Sequence, residues 1–149
     1  MPEPRDRVMR KADLLTALTA PAADVWVATA SADATPYLVP LSLAWIDECA
    51  VIALDAASPT ARNIGRSRVA RLGVGPTRDV ALIDATLERS VDVDGDAQLG
   101  QAYEAQADWD PRGLAGYVFL VLRPTRIQAW RESNELAGRL LMRDGEWLI

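Results

Sequence analysis

The chain has 149 residues, half of them hydrophobic and a quarter charged, which is typical of a single globular domain spanning residues 1–149. Histidine is absent and Cys49 is the only cysteine. These counts exclude a Ser-His-Asp triad, a papain-like Cys-His pair, a histidine-rich zinc site and an intramolecular disulfide. Because the net charge is −5, we expect no general nucleic-acid binding.

No apolar run approaches the roughly 20 residues that a membrane helix needs. Residues 1–6 carry acidic side chains and no apolar core, so we expect no signal peptide, no membrane contact and a cytoplasmic location. No spacing of carboxylates suggests a metal site, and we expect none.

The first predicted element is a helix over residues 7–20, which Pro21 ends. Its apolar face is predicted to consist of Val8, Ala12, Leu15 and Leu18.

Alternating side chains then predict strands over residues 25–31, 35–46 and 49–54. In the second of these, the odd positions are bulky and apolar, whereas Pro40 and Ser42 are small. One face would build the core, and the other would be open to a ligand. Ordinary strand packing is the alternative.

A serine-proline pair, Ser58-Pro59, is predicted to open a short helix, since serine caps a helix well and proline suits its first position. Strands are predicted over residues 69–75 and 79–93, with an irregularity near Thr86. Cys49 is interpreted as a buried strand residue and not as a nucleophile.

The last third of the chain is predicted to hold one helix, over residues 96–108 and capped by Asp94. The face of this helix would carry Leu99, Ala102, Tyr103 and Gln106. A strand over residues 116–122 would be interrupted at Arg123-Pro124 and resume over 127–131. The tail, residues 139–149, would add a final strand around the Asp144-Gly145 turn.

These elements predict a mainly β protein with short helices, built as an antiparallel barrel. The five tryptophans are interpreted as core or interface residues, with Trp130 the best candidate for contact with a ligand.

A basic segment lies within this otherwise acidic chain. From Ser58 to Arg78 there are five arginines and no acidic residue. The helix that begins at Ser58 starts inside the segment, and a helix N-terminus binds phosphate readily. Thr60 and Arg62 would add side-chain donors. The alternative is a capped surface helix whose arginines pair with carboxylates elsewhere.

Three segments in this order resemble the pyridoxamine 5'-phosphate oxidase-like, FMN-binding split-barrel family. They are residues 27–42, which contain the sequence TPYLVPLS; residues 58–72, which begin SPTARNI; and residues 117–130, which run YVFLVLRPTRI and end at Trp130. The resemblance extends from about Asp24 to Trp130. It implies an antiparallel, Greek-key-like split β-barrel.

The resemblance also implies a homodimer that binds FMN, or a related deazaflavin, between its subunits. Val39, Pro40 and Ser42 would line the cofactor ring, and Thr60, Arg62 and Asn63 would lie at its phosphate. Arg78 and Trp130 are further candidates, Trp130 from the partner chain. Members of the family often carry lysine where this chain has Thr60, so the phosphate site loses one charge.

The predicted function is therefore an oxidoreductase that moves a hydride through FMN or a deazaflavin to a small organic substrate. No catalytic side chain can be assigned. True pyridoxamine-phosphate oxidases need a histidine that this chain lacks, so we do not expect vitamin B6 oxidation. The alternatives are a non-catalytic flavin carrier or sensor of the same fold, and an interaction domain without a cofactor.

Overall fold

The computed structural model describes residues 1–149 as three helices and one nine-stranded sheet. The helices are α1 (Arg7–Thr19), α2 (Pro59–Ser67) and α3 (Ala97–Ala107). The strands are β1 (Asp24–Ala30), β2 (Pro36–Ser42), β3 (Ala44–Ile46), β4 (Cys49–Asp55), β5 (Val69–Val74), β6 (Val80–Asp92), β7 (Tyr117–Trp130), β8 (Leu140–Arg143) and β9 (Glu146–Trp147). The predicted mainly β fold with short helices is confirmed. None of the helices combines the length and apolar character needed to cross a membrane.

The sheet is antiparallel, in the order β2-β1-β5-β6-β7-β4-β3, with the β8–β9 hairpin paired to β7. The single strand predicted over residues 35–46 is in fact two strands, because the chain changes partner at Leu43. The amide of this fully buried residue donates to the carbonyl of Ala23. Since β2 and β3 lie at opposite ends of the strand order but adjoin in sequence, the sheet curls back on itself.

The larger hydrophobic core fills the inside of this curled sheet. Alternate residues of its strands point inward, as Val25 and Val27 of β1 and Leu72 of β5 show. A smaller core, around Tyr103 and Phe119, lies between α3 and the other side of β3, β4 and β7. Because β4 lies between the two cores, every residue from Cys49 to Leu54 is buried.

The longest strand, β7, is continuous through Arg123-Pro124, where an interruption was predicted. Pro124 is buried opposite Ala85, next to a shift in register with β6. On its other edge β7 pairs with β4 up to Leu122 and with β8 from Ile127 onward, so Pro124 lies between the two partners. A proline, which lacks an amide proton, is tolerated at such a place. The irregularity predicted near Thr86 is confirmed, since register shifts lie on both sides of it.

The predicted helices form, but with different buried faces. In α1 the buried side chains are Arg10, Leu14 and Leu18, whereas Val8 is exposed. The three are spaced four residues apart and therefore share a face. A search for apolar residues at helical spacing misses this face, because one of its three buried residues is an arginine.

The cap of α3 also differs from the prediction. Asp96, and not Asp94, accepts the hydrogen bond from the amide of Leu99. Asp94 instead accepts from the amide of Gly113. The buried residues of α3 are Leu99, Gly100, Tyr103 and Ala107; Ala102 is exposed, and Gln106 is half-buried.

Buried charged side chains connect the N-terminal segment and α1 to the segment after β7 by hydrogen bonds. The Glu135 carboxylate, 1% exposed, accepts hydrogen bonds from the Arg5 guanidinium and from the amides of Arg5 and Arg131. The Arg10 guanidinium donates to the carbonyls of Arg5 and Glu135. Every oxygen of this carboxylate is bonded, which offsets the cost of removing it from water.

Replacing this carboxylate tests how much the network stabilises the fold. Hydrogen bonds from the Arg5 guanidinium lower the pKa of Glu135 from 4.5 to about 2. A lowered pKa in the folded state adds stability above the unfolded pKa, and that stability is lost as the pH falls through the folded pKa. We expect Glu135→Gln to lower the free energy of unfolding at neutral pH by about 3 kcal/mol.

The measurement is denaturant unfolding of both proteins between neutral and acid pH. The acid loss of stability between pH 4.5 and about 2 should be shallower in Glu135→Gln than in the parent. Glu132→Gln is the matched control, since Glu132 pairs with the exposed Arg78 and should contribute at most about 1 kcal/mol. Equal losses for the two variants would contradict the assignment.

Candidate functional site

A cleft of about 490 Å³ opens where β2, the end of β4, the start of α2 and the loop after α3 meet. Its size is typical of small-molecule sites. The residues that line it are Tyr37, Val39, Pro40, Leu41, Ser42, Ala53, Leu54, Asp55, Ser58, Thr60, Trp109 and Tyr117.

One wall of the cleft is β2, a strand with only one hydrogen-bonded neighbour. It pairs with β1 along Pro36–Ser42, and its other edge has no partner strand. Consecutive residues from Val39 to Ser42 line the cleft, so the opening follows the free edge of β2. The free face that the sequence predicts is present as well, since Leu38 and Pro40 on that face of β2 are exposed.

The second wall is the N-terminus of α2, which forms as predicted. The Ser58 hydroxyl accepts from the amide of Ala61, and Pro59 occupies the first turn. The Thr60 side chain lines the cleft, although the residue is 2% exposed, and its hydroxyl has no hydrogen-bond partner in the protein. This hydroxyl and the positive end of the helix dipole can therefore serve an anion.

Aromatic rings form the third wall. The rings of Trp109 and Tyr117 lie 6.4 Å apart and nearly perpendicular, at 76°. Behind them, the fully buried Tyr103 contacts Trp109 edge-on at 6.1 Å and Phe119 at 5.1 Å. Burial raises the pKa of the Tyr103 phenol, which therefore stays protonated. This packing fixes Trp109 at the mouth of the cleft.

The cleft contains one charged side chain, Asp55, and no lysine or arginine. Asp55 ends β4, and one of its carboxylate oxygens accepts from the amide of Ala57 at 2.8 Å. It forms no salt bridge. The electrostatic character of the cleft is therefore mildly negative, apart from the helix end.

The structure brings four of the predicted cofactor residues together in this cleft: Val39, Pro40, Ser42 and Thr60. Arg62 and Asn63 lie beside it on α2 but do not line it. Arg62 is exposed, about 200° around the helix from Thr60. Asn63 donates to the Thr29 hydroxyl of β1 at 3.1 Å.

The other two predicted residues lie elsewhere in the protomer. The Arg78 guanidinium is exposed and pairs with Glu132 at 3.0 Å. Trp130 ends β7 opposite Val80, with the Arg139 guanidinium 6.0 Å from its ring centre.

The basic segment is therefore partly neutralised by carboxylates. Arg71 pairs with Asp84 as Arg78 does with Glu132, and Arg66 donates to the carbonyl of Ala30. Arg66 and Arg71 line a second groove of about 490 Å³ beside β1, β5 and β6. For Arg71 and Arg78, the structure favours the alternative interpretation of surface ion pairs.

The cleft residues that escape the sequence analysis include the aromatic and acidic ones, Tyr37, Asp55, Trp109 and Tyr117. They come from separate parts of the chain and meet only in the folded protein. The one local signal is at Trp109, a large aromatic residue in a loop of aspartates, proline and glycine. Of the tryptophans interpreted as core or interface residues, Trp45 and Trp147 pack, partly buried, against the larger core, and Trp26 is half-exposed.

Several solved structures are similar to this one. A structure described as an F420 reductase superposes with a TM-score of 0.63 at 19% identity, over 75% of this chain and 94% of that one. A putative pyridoxamine 5'-phosphate oxidase from Listeria innocua gives 0.61 at 11% identity, over 85% of this chain and 99% of that one. This chain has the pyridoxamine 5'-phosphate oxidase-like split-barrel fold.

The same split-barrel fold occurs in HutZ, described as a heme storage protein of Vibrio cholerae, with a TM-score of 0.61 and 13% identity over 84% of this chain and 95% of that one. No protein-family model and no curated protein matches the chain. At these identities the likeness concerns the fold alone. The function of this split barrel must be argued from its cleft.

Cys49 lies far from the cleft, at the opposite end of β4 from Asp55. It is buried, as predicted, and its thiol lies 3.5 Å from the Glu88 carboxylate. Burial, with the negative charge of Glu88, raises the pKa of the thiol to about 11.

We therefore expect Cys49 to resist Ellman's reagent in the native protein, because the thiolate is the reactive form. The reaction is followed at about neutral pH by the absorbance of the coloured thiolate that the reagent releases. The same protein unfolded in guanidinium should react at once and is the control. Complete labelling of native protein at the rate of unfolded protein would show that the thiol is accessible.

Proposed function

We propose that this split barrel is a homodimeric oxidoreductase that uses FMN, or a related deazaflavin, for hydride transfer to a small organic substrate. The observation that carries the proposal is the meeting of an apolar, aromatic wall with the first turn of α2 and its Thr60 hydroxyl in one cleft. A flavin cofactor has the same two parts, a planar ring and a phosphate.

The ring half of such a cofactor fits the residues present. Val39 and Pro40 offer apolar contacts along the free edge of β2, and the Trp109 ring faces the same space. The Ser42 hydroxyl has no partner in the protein and could bond to a polar ring edge. These contacts would bind the ring, orient it and exclude water from one side.

For the phosphate half of the cofactor, the cleft offers hydrogen-bond donors but no cationic side chain. The Thr60 hydroxyl and the N-terminus of α2 supply donors. No cationic side chain of the same protomer lines the cleft, where related proteins carry a lysine in place of Thr60. Because Arg62 lies about 200° around α2 from Thr60, we infer that an exposed arginine of a second copy, Arg62 or Arg78, balances the charge of the phosphate.

When bound, a flavin or deazaflavin would itself supply the hydride chemistry. The protein would bind and position it, and no side chain of this chain is assigned to proton transfer. The absence of histidine and the single negative charge of the cleft both disfavour pyridoxamine phosphate as a substrate.

A second candidate is a non-catalytic flavin carrier or sensor. It is favoured by the same shortage of acid-base side chains in the cleft, where Asp55 is the only ionised group. Reduction of bound cofactor by a nicotinamide donor or a reduced deazaflavin, followed by reoxidation with an added acceptor, separates the two. A carrier would bind the cofactor without turnover.

The proposed dimer is supported by an apolar sheet face that no helix covers. Trp26 of β1, Leu38 of β2 and Val69 of β5 are 52%, 59% and 51% exposed. An uncovered apolar face of this kind is typical of an interface.

We expect light scattering at micromolar concentration to give twice the 16.2 kDa mass of one chain, because a stable interface of more than roughly 1,000 Å² should form. Trp26→Glu should shift the protein toward the monomer, whereas Val8→Glu, at an exposed position on α1, should not. A monomeric mass for the parent would refute the dimer.

The phosphate contact is tested by Thr60→Val and Arg62→Ala. Valine keeps the shape of the buried threonine and removes only its hydroxyl, and Arg62 is exposed, so both variants should fold. Loss of one charge-assisted hydrogen bond costs about 1.5–3 kcal/mol, or roughly 10- to 150-fold in affinity. We expect losses of this order for FMN or deazaflavin in fluorescence titrations.

Arg66→Ala is the matched control, one helical turn farther along α2, and should change the affinity much less. Circular dichroism melting of all variants checks the fold. Unchanged binding by both Thr60→Val and Arg62→Ala would mean that the phosphate lies elsewhere.

A further inference from the structure

The proposed cofactor contacts use only the Trp109 ring of the aromatic wall and leave Tyr37, Tyr117 and the Asp55 carboxylate without a role. The three aromatic residues Tyr37, Trp109 and Tyr117, together with the Asp55 carboxylate, are here called the aromatic-acid corner. Each of them lines the cleft, and none is among the residues expected to hold the phosphate.

The rings of the aromatic-acid corner are arranged as two walls. Trp109 and Tyr117 meet at 76° with their centres 6.4 Å apart. Tyr103 supports Trp109 from behind, at 6.1 Å. A ring packed against a fully buried neighbour is held in place, so Trp109 lines the cleft without further ordering.

The acidic residue of the corner is the cross-strand neighbour of one of these rings. Asp55 and Tyr117 are partners in the β4–β7 ladder, where the Cβ atoms of opposite residues lie about 5 Å apart. One carboxylate oxygen is bonded to the amide of Ala57, and the other has no partner. No arginine or lysine neutralises Asp55, so its charge acts on whatever enters the cleft.

We infer that the aromatic-acid corner recognises a planar organic cation, such as an N-alkylated heteroaromatic ring or a protonated aromatic amine. Aromatic faces attract cations through their quadrupole, and clusters of aromatic rings bind quaternary ammonium groups in this way. The free carboxylate oxygen adds a charge of the opposite sign. An aromatic anion of the same size meets the same rings but is repelled by Asp55.

As a statement about the substrate, this inference rests on the proposed function, since the cation would lie beside the cofactor ring. As a statement about binding it does not, because the corner consists of residues of this chain alone. An experiment can therefore contradict the proposed function without contradicting cation binding, and the reverse.

The experiment uses three probes of similar size: N-methylquinolinium, which is a cation, quinoline, which is neutral at about neutral pH, and naphthalene-2-carboxylate, which is an anion. Equilibrium dialysis measures their affinities for the purified full-length protein, with and without added FMN. We expect the cation to bind about tenfold more tightly than quinoline, from the sum of one exposed cation–π contact and one exposed ion pair. The anion should bind most weakly, and added salt should reduce the preference.

Two variants test which residues cause the preference for the cation over quinoline. Asp55→Asn should weaken cation binding to within about two- to threefold of quinoline, since the cation–π contact alone remains, and leave quinoline unchanged. Trp109→Leu should weaken both of these probes. Asp47→Asn is the matched control, because Asp47 lies in the exposed β3–β4 turn, at the opposite end of β4. It should change none of the affinities.

Equal affinities for the cation and quinoline in the parent, or a preference of about tenfold that Asp55→Asn leaves undiminished, would overturn the inference. If FMN fails to bind while the cation preference is present, the proposed function fails and the recognition stands. If FMN binds and the preference is absent, the recognition fails and the proposed function stands.

Discussion

The fold depends on the pairing of one strand, β7, with three others. It pairs along its length with β6, with β4 on the other edge up to Leu122, and with β8 after the position of Pro124. This shared strand joins the two cores, because Phe119 faces the smaller core and Leu120 the larger. Since β4 is held by β7, the site at the end of β4 is held there as well. Asp55 and Tyr117 face each other only because this register is fixed.

The cleft is a consequence of how the curled sheet ends. The chain leaves β2 at Leu43 to pair with β4 through β3, and this change of partner leaves one edge of β2 uncovered. The start of α2 and the loop after α3 line the same cleft as that edge. A helix N-terminus, an apolar edge and an aromatic wall meet at one place, although they come from distant parts of the sequence. The buried network around Glu135 lies in a separate region of the fold and stabilises it without lining the cleft.

Much of this architecture can be predicted from the sequence. The alternation of side chains predicted the strands, and Ser58-Pro59 predicted the start of α2, because both signals depend only on neighbouring residues. The buried face of α1 was missed because Arg10 is buried by partners more than a hundred residues away. The continuity of β7 was missed because Pro124 is tolerated only through its neighbours. In the site, the resemblance identified Val39, Pro40, Ser42 and Thr60. Trp109, Tyr117 and Asp55 could not be placed, since the tertiary fold alone brings them together.

The central claim is that the cleft beside β2 holds a flavin-type ring, and a crystal structure of the protein grown with FMN or a deazaflavin tests it most directly. The account predicts the ring between the β2 edge and Trp109, with the phosphate at Thr60. A ring found in the groove lined by Arg66 and Arg71, or a cleft still empty at saturating cofactor, would contradict it.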